Sequence, residues 1–153
     1  MEQKNIILSG KLLEKHKRQL KELQNFVYKI KSIFKDKLVS VILIGSRARL
    51  DFNIRSDIDL ILVGQWSNYV LFDRIDEIKD KVDLPLLPID FFLYKPDEIL
   101  KLIDRGNPMI LQGFVEGNCL LNDNYYQTIQ KIILKMISNG KLSKEKNLWK
   151  VHK

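Results

Sequence analysis

Two aspartates, Asp57 and Asp59, stand one residue apart at the head of the apolar run "DIDLILVG". Side chains alternate along a strand, so residues two apart share a face. Two carboxylates on one face repel and raise each other's pKa, a cost that a divalent cation removes. Magnesium takes oxygen ligands and keeps waters and substrate phosphates beside one or two carboxylates. Taken alone, Asp-x-Asp fits two polar residues at a strand entrance equally well. The segment ahead of it adds the complement. "LVSVILIG" ends at Gly45 and is followed by Ser46. Glycine allows close backbone approach to a ligand. Serine at the start of a helical turn offers a hydroxyl, and backbone N–H groups there suit phosphate. Arg47 and Arg49 add charge of the kind that pairs with phosphate, or else they are surface cations. Together these residues describe a phosphate cradle beside a metal pair at one edge of a sheet.

The elements that must position them follow from periodicity. Leu12, His16, Leu20, Leu23, Val27, Ile30 and Phe34 form one apolar stripe, which predicts a long N-terminal helix over 11–37, with His16 at the stripe's edge. Residues 38–45 and 57–64 are short, β-branched apolar runs and predict buried strands. Residues 67–82 return to helical period through Leu71, Ile75, Ile78 and Val82, and "PIDFFLYK" (88–95) predicts a third strand. Pro96 suits a first helical turn, Gly106-Asn107 closes that helix, and Pro108 opens another. "CLLN" (119–122) reads as an edge strand. A C-terminal helix capped by Asn122 or Asp123 follows, burying Tyr125, Ile129, Ile132, Ile133, Met136 and Ile137, and ends at Asn139-Gly140. This order predicts one α/β (α+β) domain over 1–153, a small mixed β-sheet with flanking helices. Its core falls at 38–105, and a basic tail spans 141–153.

The motif "GSRARLDFNIRSDID" places ten residues between Ser46 and Asp57. It resembles the Gly-Ser-x10-Asp-x-Asp signature of the polymerase-β nucleotidyltransferase superfamily. The chain length and "GSRAR…SDIDL" resemble its minimal nucleotidyltransferases (MNT) most closely, over residues 38–105. The resemblance implies the nucleotidyltransferase fold and a third carboxylate on a neighbouring strand. Asp90, flanked by Ile89 and Phe91, is the choice; Asp83, just before Pro85 at a helix end, is the competitor. It further implies that Asp57, Asp59 and Asp90 hold two Mg²⁺ ions, with ATP as substrate. Asp90 would also help to activate the acceptor hydroxyl. Gly45 and Ser46 would hold the terminal phosphates, with Arg47 and Arg49 as possible helpers. Leu50 departs from the pattern, since such proteins often carry glycine there, which bears on the shape of the loop.

Many minimal members with this resemblance are antitoxins that transfer AMP to a tyrosine of a HEPN-type toxin, so the first expectation is a toxin partner. Alternatives are transfer to a small molecule or an RNA end, or a non-catalytic nucleotide-binding partner protein. Net charge is +7, but its distribution is uneven. Residues 1–37 hold 10 basic and 4 acidic groups, and 141–153 hold 5 and 1, whereas 38–140 hold 11 and 14. Basic ends mildly favour RNA contact; a lysine-rich solvated helix and a frayed tail account for them as well. No apolar run is long enough to span a membrane, and "MEQKNIILSGKLLEKHK" lacks the apolar core of a signal peptide. One cysteine, Cys119, fits a reducing compartment. These readings predict a cytoplasmic protein, free or in an oligomer.

Overall fold

A computed structural model describes residues 9–153. The reading of the first residues as lacking a signal peptide falls partly on 1–8, outside the described residues. Helix α1 (Gly10–Phe34) opens on Ser9, whose Oγ accepts from the Leu12 N–H at 3.2 Å, so the first turn is capped. Its stripe buries Leu23, Phe26, Val27, Ile30 and Phe34, while most of its lysines remain in water. His16 lies fully inside this stripe rather than at its edge.

Four strands form one sheet in the order β3 (Ile89–Tyr94), β2 (Ile58–Gly64), β1 (Leu38–Ile44), β4 (Asn118–Leu121). β1 runs antiparallel to β2 and β4, and β2 runs parallel to β3, so the sheet is mixed. Both faces are covered. Val41, Leu43, Leu60, Leu62 and Leu93 pack with α1 on one side. Ile42, Ile44, Ile61 and Val63 pack on the other with α4 (Pro96–Asp104), α5 (Pro108–Glu116) and α6 (Asp123–Ser138). Burial on both sides explains why these strands read as continuous apolar runs. Alternation then assigns Asp59 to the α5 face, with Ile61 and Val63.

The expected helix over 67–82 is shorter. A 3₁₀ turn at Leu71–Asp73 leads into α3 (Arg74–Lys79). The Glu77 carboxylate takes the N–H groups of Ser67 and Asn68 at 2.9–3.2 Å, so this stretch is bonded as a loop. Arg74, almost wholly buried, forks onto Glu98 at 2.6 and 2.7 Å and also bonds the carbonyls of Leu93 and Asn68. It pins α3 against β3 and α4 and leaves Leu71 outside the core. α6 buries Tyr126, Ile129 and Ile133, with Tyr125 and Met136 half-buried; Ile132 and Ile137, expected inside, are more than a third exposed. The face α6 turns inward is narrower than its apolar content suggests.

The segment 141–153 is not a frayed tail. β5 (Leu142–Glu145) and β6 (Leu148–Val151) form an antiparallel hairpin. Leu142 is buried under α4–α6, and the Gln112 Oε1 on α5 accepts from Trp149 Nε1 at 3.3 Å and Lys144 Nζ at 2.5 Å. No helix among the described residues is long and apolar enough to cross a membrane.

Candidate active site

Three adjacent strands converge at one end of the sheet. In the ladders Asp59 stands opposite Ile44 of β1 and opposite Asp90 of β3. Gly45 follows Ile44 at φ +73° and touches Asp59 so closely that a Cβ there would lie 2.5 Å from Asp59 Oδ2. Glycine is therefore required twice, by conformation and by space. Helix α2 (Ser46–Arg49) begins at once, with the Ala48 and Arg49 N–H groups bonded to the Gly45 carbonyl at 3.1 Å. The structure thus brings Gly45, Ser46, Asp57, Asp59 and Asp90 to one place. Asp83 stays in the irregular segment after α3, away from any strand.

Asp57 and Asp90 are exposed and Asp59 is half-buried. Burial pushes the Asp59 carboxyl above the usual carboxylate range, the charges of Asp90 and Asp57 add to the shift, and Arg49 opposes it. Among the described residues, no group of three or more His, Cys, Asp or Glu side chains is drawn together closely enough to hold a metal ion unaided. The donor set nevertheless fits a hard divalent cation, which takes one or two carboxylates and completes its shell with water and phosphate.

The two arginines part company. Arg49 points outward, bonding Asp51 at 2.9 Å and Glu116 at 3.1 Å. Arg47 is 3 % exposed and turns into the protein. Its Nη1 donates to His16 Nδ1 at 3.1 Å, its Nη2 donates to the Ser56 carbonyl at 3.1 Å, and its guanidinium lies 4.4 Å over the Phe52 ring. Phe52 in turn packs against the His16 ring at 4.5 Å. Arg47 therefore holds the loop that delivers Asp57 and is not presented to a phosphate. Arginine has no acceptor, so His16 Nδ1 carries no proton and the ring is neutral; burial and then Arg47 both lower its pKa. Within the loop, Leu50 takes φ 61° and ψ 31°, the left-handed geometry that glycine adopts most readily.

A cavity of about 330 Å³ opens beside these groups, bounded by Gly45, Arg49, Asp59, Phe92, Met109 and Gln112, among others. The profile described as "Nucleotidyltransferase domain" matches residues 13–111, well over half of the chain. The chain belongs to the nucleotidyltransferase domain family. Among solved structures, a candidate nucleotidyltransferase from Sulfolobus solfataricus is 26% identical, with a TM-score of 0.51 covering 63% of this chain and 85% of that one. A toxin–antitoxin complex with AMP-PNP is 15% identical at a TM-score of 0.48, covering 77% and 89%. A Shewanella oneidensis complex of tri-AMPylated HEPN toxin with MNT antitoxin is 14% identical at 0.46, covering 77% and 86%. At these identities and scores the last two likenesses bear no weight on what this chain does. No curated protein matches it.

In this nucleotidyltransferase the cavity uses residues that motif reading passes over. Phe92 follows from alternation with Asp90, a signal present in the strand. Met109 and Gln112 come from α5, far along the chain, and nothing local marks them. Tyr125 and Tyr126 pack on Phe114, as their helical spacing implies, and the Tyr126 hydroxyl donates to the Gly117 carbonyl.

Proposed function

We propose that this chain uses Mg²⁺ and ATP to transfer AMP to a hydroxyl of a protein, a tyrosine of a HEPN-type toxin in the first instance. The observation that carries the transfer reading is the pairing of Asp59 with Asp90 across the β2–β3 ladder while Gly45 packs onto Asp59. Asp57, Asp59 and Asp90 would hold the metal, which when bound screens their charge and polarises the α-phosphate. Gly45 and the α2 backbone bind the terminal phosphates. Asp90, exposed on the outermost strand, accepts the proton of the acceptor hydroxyl. A bond forms from that oxygen to the α-phosphorus, the bond to pyrophosphate breaks, and pyrophosphate leaves toward α2.

A protein acceptor is supported by the surface around Asp90. β3 is paired on one side only. Beside it lies a groove of about 380 Å³ lined by Leu71, Phe72, Ile75 and β3 itself. Phe72 is 91 % exposed there. An open strand edge with exposed apolar side chains is a surface that pairs with polypeptide. The toxin and the adenine base rest on the resemblance of "GSRAR…SDIDL" to minimal nucleotidyltransferases.

The test is label transfer. Protein, Mg²⁺ and each α-labelled nucleoside triphosphate are incubated with extract of the native cell, beside the Asp57→Asn/Asp59→Asn double variant. Label that appears only with wild type, prefers ATP and is removed by protease is the expected result. Removal by ribonuclease would move the acceptor to RNA. Equal labelling by the double variant would end the mechanism.

A further inference from the structure

The cavity beside Asp59 does not end there. Arg49, Pro108 and Gln112 also border a second cavity of about 480 Å³, so the two form one cleft along α5. The far wall of the outer part is the C-terminal hairpin, through Lys144, Asn147 and Trp149. Every one of these hairpin residues, and Gln112 itself, lies beyond the segment 13–111 that the family shares. The hairpin is joined to the cleft floor, not loosely laid over it, because Gln112 Oε1 accepts from both Lys144 and Trp149.

The charges of the outer part choose its occupant. Arg49 and Lys144 are balanced by Asp51 and Glu116, and Arg49 is already engaged by both carboxylates. Such a surface has no net charge to offer a phosphate. It has instead the Gln112 amide nitrogen, which donates to no group among the described residues, the Asn147 amide, two carboxylates that accept hydroxyl donors, and an indole. Those groups suit a planar heterocycle and a sugar. We infer that the C-terminal hairpin, with Gln112, holds the nucleoside end of the nucleotide whose phosphates lie at Gly45 and Asp59. This inference rests on the nucleotide reading of the inner cavity and deepens it: base selection resides in residues 112 and 144–149, outside the shared segment.

The chain reports on this directly, since it has two tryptophans. Trp66 is sealed on the other face of the sheet against Phe34; Trp149 is half-buried in the cleft. Indole fluorescence of the full-length protein is followed as MgATP, MgGTP, MgCTP or MgUTP is added, with magnesium tripolyphosphate as the phosphate-only probe. Nucleotides should change the emission saturably, and Trp149→Phe should abolish that change. Tripolyphosphate should displace nucleotide while leaving emission unaltered. Trp149→Ala and Gln112→Ala should each weaken nucleotide binding about tenfold, and tripolyphosphate binding less than about twofold. Gln112→Glu keeps an oxygen for Lys144 and Trp149 and loses only the amide N–H donors, so it covers the case in which an alanine variant releases the hairpin. Nucleotide binding at wild-type strength in these variants would overturn the hairpin assignment and leave the inner site standing. Failure of wild type to bind any nucleotide would overturn the site reading and this inference with it.

Discussion

Leu50 illustrates what a single position costs. It holds the left-handed conformation with no special bond from its own side chain, which is nearly half exposed. For a residue with a Cβ that geometry costs about 1–2 kcal/mol, part of which glycine's greater unfolded freedom offsets. Leu50→Gly is therefore expected to raise unfolding free energy by about 0.5–1 kcal/mol in urea titrations. A loss of stability would mean that the leucine side chain holds the loop. Asp59 is the opposite case, a residue whose charge works against the fold. Its carboxyl titrates above the ordinary range, so the native state keeps a proton that the unfolded chain has lost. Stability due to this group then falls as pH rises from the unfolded carboxylate pKa through the folded one. Asp59→Asn should abolish nucleotidyl transfer while its metal-free melting temperature at neutral pH equals or exceeds that of wild type. A lower melting temperature would assign Asp59 to the fold rather than to chemistry.

The connection between α1 and the Asp57 loop is the element that sequence could not disclose. Strands β1, β2 and β3, the cap at Asn122 and the turn at Gly45 were legible because alternation, capping chemistry and motif spacing are local. His16 and Arg47 are 31 positions apart, and no periodicity links them; read alone, one is a stripe residue and the other a phosphate ligand. The hairpin was hidden for a related reason. "KLSKEKNLWKVHK" is dominated by charge, and its Lys146-Asn147 turn lacks the Asn-Gly signal of tight hairpins. Its stability comes from Leu142 and Gln112, which the segment itself cannot announce. The α1–loop joint has a testable pH dependence. Because the His16 pKa is depressed in the folded state, its contribution is complete above about 6.5, the unfolded value, and is lost as pH falls through the folded value. His16→Gln keeps an acceptor for Arg47 but does not titrate. Melting temperature should fall more steeply for wild type than for His16→Gln between about pH 6.5 and pH 5. Parallel curves would mean that another group governs acid sensitivity.

Across the whole molecule the two ends of the sheet edge are treated differently. β4 is shielded by α1 and α6 and by Gln24 Nε2, which donates to the Leu120 carbonyl. β3 has no strand on its outer side; Arg74 donates to the Leu93 carbonyl near its C-terminal end, while Asp90 at its start is exposed and the exposed segment Tyr69–Phe72 lies beside it. A protein that needed only a small acceptor would gain nothing from leaving Phe72 91 % exposed. If the acceptor docks here, Phe72→Asp should leave folding stability within about 0.5 kcal/mol, since the side chain contributes little to the core. Nucleotide binding in the cleft along α5 should be unchanged, because that cleft lies on the Gly45 side of Asp59. Label transfer to the protein acceptor should drop at least about tenfold, which corresponds to losing one well-placed aromatic contact. Salt separates this from the rival acceptor. Transfer through an apolar edge should change little between about 50 and 200 mM salt, whereas an RNA acceptor held by the basic ends of the chain would be lost steeply over that range. Transfer by Phe72→Asp at the wild-type rate, together with a steep loss in salt, would move acceptor recognition from the β3 edge to the lysines of α1 and the C-terminal segment.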